Sequence, residues 1–293
     1  MINIYYFDRP DLKDVHMLAD LKITNNFNFG NGLKVKVSKC PDYGTKINIC
    51  VDTGHCLPEA PREKGSSAFW CQHCHTEKHQ KLAKKFKFSF GADKHYVNKK
   101  LFDFWLPNGV GVYGFNQKIS IEPKYDVGFI GQYLGSRKST LSKIANLCNT
   151  FGWSYQFVDT RLNAVGKEGP GRIRPNWKDR NQFTTALKQC KILLNITGHP
   201  ALQLLNCRIF EGMAVGRPVV SDTVGYATEV VSEGFGVSYF DYNNIDTIVP
   251  CIQRLLEDRE YYLSVVAKGA SILEKHTIRS RILSIIRTLG INV

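Results

Sequence analysis

The chain has 293 residues, 43 % of them hydrophobic, with ordinary Gly and Pro content, which describes a globular protein and excludes disordered or fibrous classes. Its formal net charge of +13 favours polyanionic partners without bearing on the fold. No apolar run approaches the ~20 residues that cross a bilayer. The start, Met-Ile-Asn-Ile-Tyr-Tyr-Phe-Asp, has no basic region ahead of an apolar core, so neither membrane insertion nor a secretory signal is expected. The nine cysteines are odd in number, and Cys50, Cys190 and Cys251 sit inside apolar runs. They read as free thiols of a reducing compartment: the cytoplasm, or a host's cytoplasm were the chain viral.

In chain order, short apolar runs predict strands over Ile2–Phe7, Leu33–Val37, Ile47–Val51, Phe86–Phe90 and Phe104–Leu106, separated by Gly-, Asn- and Pro-rich turns. Lysines cluster from Lys78 to Lys100, where Lys84, Lys85 and Lys87 lead into the Phe86, Phe88, Phe90 alternation. A linker-like stretch, Asn116 to Lys124, precedes a cleaner alternation. A strand is predicted over Asp126–Ile130, a helix from about Lys138 to Thr150, and a strand over Ser154–Val158. A basic Gly/Pro loop with Arg161, Lys167, Arg172, Arg174 and Lys178 follows. Next come a helix near Asn181–Lys188 and a strand over Ile192–Ile196. Strands alternating with helices of this length indicate parallel βαβ units. From Ile245 onward the tail reads as helical, with Ile248, Cys251, Ile252 and Leu255 at apolar 3/4 spacing and Ile282, Ile285 and Ile286 on the last helix. These elements divide the chain into an N-terminal α/β domain over 1–121, a second α/β domain over 122–275 and a terminal helix over 276–293 that packs back.

The most informative stretch is Arg208-Ile-Phe-Glu-Gly-Met-Ala-Val-Gly-Arg-Pro-Val-Val-Ser-Asp222, followed by Gly225 and Glu229. It predicts a helix carrying Glu211 and ending at Gly216, a strand over Pro218–Ser221, then a Gly turn into another helix. That is half of a nucleotide-binding α/β unit, whose ligands sit at the C-terminal ends of the strands. Upstream, Asp126-Val-Gly-Phe-Ile-Gly131 ends a strand in a glycine that lets backbone amides approach a phosphate. Arg137 or Lys138 would add charge-assisted bonds to a diphosphate.

Taken in order, Trp105-Leu-Pro107, Asp126 to Gly131 with Arg137, Leu193-Leu-Asn-Ile-Thr197, Arg208-x-Phe-Glu211, Gly216-x-Pro218, Gly225, Glu229 and His276-Thr-Ile-Arg-Ser-Arg281 resemble the glycosyltransferases with two facing Rossmann-like domains. The particular likeness is to family 4 and the CgeB-like, spore-maturation group. It is good over residues 100 to 290 and loose before that. The resemblance implies a GT-B-type α/β fold, two Rossmann-like domains facing a cleft, with a reduced N-terminal domain and a helical C-terminal tail. It implies a nucleotide sugar, most simply a UDP-sugar, as co-substrate. Glu211 would hold the ribose, Asn195 and Thr197 would donate to sugar hydroxyls, and Arg208, Gly225 and Glu229 would line the donor site. One feature departs from family 4: of its two glutamates separated by seven residues the first is replaced by Gln203, a trait shared with CgeB-like relatives. No Asp-x-Asp is present, so no metal is required to hold the diphosphate.

A second constellation, Cys50-Val-Asp-Thr-Gly-His-Cys56 and Cys71-Gln-His-Cys-His75 with His79, has the spacing of half a zinc site in Cys71 and Cys74. The competing reading puts His75 and His79 one turn apart on a helix. Asp52 and His55, just after the Ile47–Val51 strand, are the candidate bases if the reaction inverts the sugar. If it retains, the leaving phosphate takes the proton.

Three functions follow. The first is sugar transfer to an acceptor hydroxyl, best placed on a hydroxymethyl pyrimidine of duplex DNA gripped by Lys84, Lys85 and Lys87, or else on a cell-surface glycan or protein. The second is a zinc-stapled, basic nucleic-acid-binding protein without catalysis. The third is a different enzyme on a similar fold, an epimerase or a phosphorylase-like protein. The sequence lacks a Walker motif, which argues against NTP hydrolysis.

Overall fold

In a computed structural model, the structure describes residues 1–5, 35–38, 42, 45, 47–52, 60, 66–72, 74–111, 121–133, 135–159, 180–198, 205–223 and 225–291. Two compact units divide the chain. One holds Met1–Tyr113, Gln203–Leu205 and Lys275–Val293, and the other Gly114–Leu202 and Asn206–Glu274.

The first unit is built on a parallel sheet of six strands. They are β1 (Ile2–Tyr5), β2 (Val35–Ser38), β3 (Ile47–Val51), β4 (Ser66–Cys71), β5 (Phe88–Gly91) and β6 (Phe104–Trp105), in the order β2-β1-β3-β4-β5-β6. Parallel strands covered on both faces read as near-continuous apolar runs. Ile-Asn-Ile-Tyr and Ile-Asn-Ile-Cys-Val are each broken by one buried asparagine, and these two pair, Asn3 Nδ2 donating to Asn48 Oδ1 at 2.8 Å. Alternate residues serve opposite faces. Ile2, Ile4, Ile49, Val51, Trp70 and Phe90 pack with Ile278, Ile282, Ile285 and Ile286 of the last helix, Ile278–Thr288. Tyr5, Cys50, Phe69 and Cys71 pack on the other side with Leu82, Phe86 and Phe102. The terminal helix is therefore half the cover of this sheet, and its Thr277 caps it by accepting from Ser280 N at 3.1 Å.

The second unit carries β7 (Tyr125–Gly131), β8 (Tyr155–Asp159), β9 (Cys190–Asn195), β10 (Val219–Thr223) and β11 (Val237–Asp241), all parallel, in the order β11-β10-β9-β7-β8. Val127, Phe129, Ile192, Leu194 and Val220 pack against Leu141, Ile144 and Cys148 of the helix Arg137–Phe151 and against Ile248, Ile252 and Leu255 of the helix Ile248–Glu257. The helix Arg208–Val215 ends at Gly216, whose φ of +71° is the left-handed cap that favours glycine.

The expected strand–helix alternation is present, with local corrections. β4 and β11 were not predicted. β5 begins at Phe88, because Phe86 leaves the strand and stacks on Phe69 with ring centroids 5.1 Å apart. His75 is not helical: the helix Glu77–Ala83 starts after Thr76, whose side chain caps it. The ends of the predicted strands at Phe7 and Leu33, the greater part of the Asn116–Lys124 linker, and the basic loop from Arg161 to Lys178 lie outside the described residues.

Candidate functional site

Both sheets reverse their winding once, between β1 and β3 in the first and between β7 and β9 in the second. In doubly wound sheets the loops leaving adjacent strands diverge at such a point and open a crevice at the C-terminal strand ends.

In the second unit that end is polar and built from three strands. β7 ends at Gly131, β9 at Asn195 and β10 at Thr223. Arg137, at the start of the Arg137–Phe151 helix, gives its Nε to Ile196 O at 2.8 Å and an Nη1 to Gln132 O at 2.7 Å, tying the loops after β7 and β9 together. Asp222 is wholly buried and accepts twice from Thr197, from the backbone N at 2.7 Å and from Oγ1 at 3.0 Å. Burial raises its pKa to about 6, against the pull of the Thr197 bonds and of the Arg137 charge. Asn195, also buried, gives its Nδ2 to Ser221 Oγ at 2.9 Å. The hydroxyl and amide expected to reach a sugar are thus used to hold strand ends.

Arg208 and Glu211 share one face of the helix Arg208–Val215, a turn apart. Arg208 Nη1 pairs with Glu211 Oε2 at 2.6 Å while both side chains are largely buried. Nη2 donates to Ile130 O, and the guanidinium lies 5.1 Å from the Phe183 ring centre. The pair therefore fixes this helix against the end of β7. Buried charges are tolerated only when paired and bonded in this way.

The Arg137 helix begins with Ser136, which makes no side-chain cap bond, so its first amides remain directed at the space beyond β7. Lys138 is exposed on that first turn. Gly135, φ +54°, lets the preceding turn approach Gly198 O, which would stand 2.8 Å from a Cβ there. Gly225, φ +50°, is exposed, as is Glu229 on the four-residue helix Ala227–Val230.

In the first unit Asp52 follows β3 at the reversal point, as expected, and its carboxylate faces inward. It is wholly buried. Oδ2 accepts from Gln72 N at 3.1 Å and from the Cys71 thiol at 3.6 Å, and Oδ1 faces His79 Nε2 at 3.4 Å. His79 Nδ1 meets Thr76 Oγ1. The Asp–His contact escaped the sequence reading. His55 and Cys56 lie outside the described residues. Cys74 gives its thiol hydrogen to Cys71 O at 3.2 Å. Cys50, Cys71 and Cys74 are buried thiols outside any disulfide, and among the described residues no group of three or more His, Cys, Asp or Glu could hold a metal.

Lys84, Lys85 and Lys87 are exposed. They stand between the Glu77–Ala83 helix and β5, hence at the N-terminal end of the strands, the end away from Asp52. Phe86 and Phe90 are core residues, so packing claims two of the aromatics considered for base stacking. Lys94 is a cation at the other end, its Nζ 4.8 Å from the Trp105 ring centre. Among the described residues no helix is long and apolar enough to cross a membrane.

Residues 145–287 match the family model described as glycosyl transferase-like. No curated protein matches the sequence. Among solved structures, an alpha-glucosyltransferase in complex with UDP superposes with a TM-score of 0.66 at 9 % identity, covering 99 % of both chains. An alpha-glucosyltransferase in complex with UDP and a 13-mer DNA gives 0.65 at 11 % identity, again over 99 % of each chain. Anabaena HepE in complex with UDP and glucose gives 0.62 at 12 % identity over 99 % of this chain and 100 % of that one. At such identities the likeness establishes architecture. The chain has the fold of the GT-B glycosyltransferases, and its residues 145–287 match the model of the glycosyl transferase-like family.

Proposed function

We propose that the chain moves a hexosyl or pentosyl group from a UDP-sugar to an acceptor hydroxyl, and that the acceptor is a hydroxymethyl pyrimidine in duplex DNA. The donor half is carried by the Arg208–Glu211 pair, held at 2.6 Å beside the end of β7 within the glycosyl transferase-like segment. With Oε2 fixed by Arg208, the Glu211 carboxylate is held in a preset direction for the ribose hydroxyls. The amides of the Arg137 helix, with Lys138, meet the diphosphate, and no metal is needed to balance it. Gly225 and Glu229 complete the sugar side. UDP or UDP-glucose in complexes of the same fold supports this choice of donor.

The acceptor half rests on the net charge of +13 and on the DNA held by a protein of the same fold. A charge of this size draws DNA in through its phosphates, and a base acted upon is turned out of the stack. Lys84, Lys85 and Lys87 serve that attraction from the far end of the sheet, whereas Lys94 over Trp105 stands at the strand ends. The inward carboxylate of Asp52 suits it to orient neighbours such as His79. If transfer inverts the sugar, His55 is then the better base.

Thermal stabilisation by a panel of UDP-, GDP-, ADP- and TDP-sugars tests the donor. Labelled sugar then tests the acceptor, with hydroxymethylated DNA, unmodified DNA, a glycan and a peptide offered in parallel. Stabilisation by UDP-sugars and label in hydroxymethylated DNA alone are expected. Indifference to every nucleotide sugar ends the donor assignment, and label entering glycan or peptide instead moves the acceptor there.

A further inference from the structure

The three-residue turn Ile196-Thr197-Gly198 leaves β9 at the reversal point of the second sheet, and three residues from two elements, β10 and the start of the Arg137 helix, grip it. Asp222, at the end of β10, binds Thr197 through both carboxylate oxygens at 2.7 and 3.0 Å. Arg137 binds Ile196 O at 2.8 Å from the helix start. Ser136 Oγ reaches Gly198 O at 3.4 Å, and the glycine conformation at Gly135 allows that approach. A short turn held this closely cannot adjust its backbone without breaking one of these bonds. It lies beside the uncapped helix start that the donor reading assigns to the diphosphate.

Keeping Asp222 there carries a cost. A carboxylate with no exposed surface, bonded to Thr197 and with Arg137 as a nearby cation, is harder to ionise than in water, as its raised pKa reflects. Groups that fold stability disfavours and geometry nonetheless retains are found at functional sites. The hydroxyls of the two adjacent residues are turned elsewhere, Ser221 Oγ to the Asp222 backbone O at 3.1 Å and Thr223 Oγ1 to Phe240 O at 3.1 Å.

We propose that Asp222 is a positioning residue for the donor: through Thr197 it fixes the Ile196–Gly198 turn in the shape that receives the diphosphate and sugar of the nucleotide sugar. This rests on the donor reading given above. Asp222 touches no reacting atom in this scheme. Its effect passes through hydrogen bonds, so an asparagine serves nearly as well. The amide oxygen accepts from Thr197 N, and the amide nitrogen donates to Thr197 Oγ1.

The test compares binding of uridine, UDP and UDP-glucose to wild type, Asp222→Ala, Asp222→Asn and Thr197→Val, with the melting temperature of each. Asp222→Ala is expected to weaken UDP-glucose by ten- to a hundredfold and UDP by less, with uridine changed under threefold. Asp222→Asn recovers UDP-glucose binding to within about threefold of wild type, and Thr197→Val falls between. In turnover, the alanine variant raises KM for the donor more than it lowers kcat. Equal weakening of all three ligands, or a lowered melting temperature with UDP-glucose binding intact, overturns the positioning role and leaves the donor reading standing. Wild type that binds none of the three overturns both.

Discussion

The two sheets share one winding and differ in what stands where it reverses. In the first unit a single carboxylate, Asp52, closes inward on a backbone amide, a thiol and His79. In the second, two guanidinium groups and two carboxylates hold strand ends and a helix beside an uncapped helix start. Topology supplies both places, and the polar residues decide their use. The first set closes a core, whereas the second, on the donor reading proposed above, holds strand ends in shape for a nucleotide sugar.

If that contrast holds, damage to the first unit registers as stability and damage to the second as affinity. The largest effect is expected from Ile285→Ala in the terminal helix. This fully buried residue covers the first sheet, and its truncation costs about 2–5 kcal/mol in denaturant unfolding with UDP-sugar affinity of the folded protein unchanged. A loss of affinity without a loss of stability would break the comparison.

The pH response comes next. Burial, with Arg281 and Lys275 nearby, lowers the His276 pKa from 6.5 to about 4. A neutral His276 suits the fold, because its Nδ1 faces an Arg281 nitrogen at 2.8 Å. The unfolded chain then binds the extra proton, so stability is lost as pH falls from 6.5 towards 4, by roughly 3 kcal/mol in all. Asp222 works in the opposite sense. Its pKa is raised from 3.8 to about 6, so its contribution is full below 3.8 and is lost as pH rises through 6. The two nearly cancel in a single global melt. Hydrogen exchange should separate them: on acidification from pH 6.5 to 4.5, amides around Val110 and Thr277 lose protection while that of Thr197 gains. Parallel changes at both places would contradict the assignment.

Glu211→Ala is expected to weaken UDP-sugar binding by about 1.5–3 kcal/mol, the worth of a hydrogen bond to a charged group, measured by calorimetry. Asp52→Asn in the same assay should leave donor affinity alone and lower the melting temperature. Smallest is the triple change of Lys84, Lys85 and Lys87 to Glu. Donor binding is kept, and the salt dependence of DNA binding becomes shallower by up to about three in the log–log slope. No change in that slope removes these lysines from the DNA contact.

Much of this was legible in the residues. Asp126 to Gly131 and the Glu211 helix with its Gly216 stop carry period, cap and turn together, and they stand close to where they were expected. β4 was missed because the cysteines at its end drew a metal reading away from Ser-Ser-Ala-Phe-Trp-Cys, and β11 because it is a short alternation inside a tail that otherwise reads helical. Asp222 had one sequence signal, an acid closing the buried run Val219-Val220-Ser221. Its partner Thr197 lies 25 positions earlier, and spacing along the chain cannot reveal such a pairing. The same holds for Asp52 with His79, and for arginines whose partners are backbone carbonyls.

The return of the Ile278–Thr288 helix to the first sheet also sets an order of events on the ribosome. Strands β1 to β6 emerge early, yet one of their faces is finished by residues made after every strand of the second sheet. At translation rates of about 5–20 residues per second, that face waits roughly ten to forty seconds with its isoleucines uncovered. The second unit can complete its sheet meanwhile. A nascent chain of this design needs protection at its beginning until its end has been made.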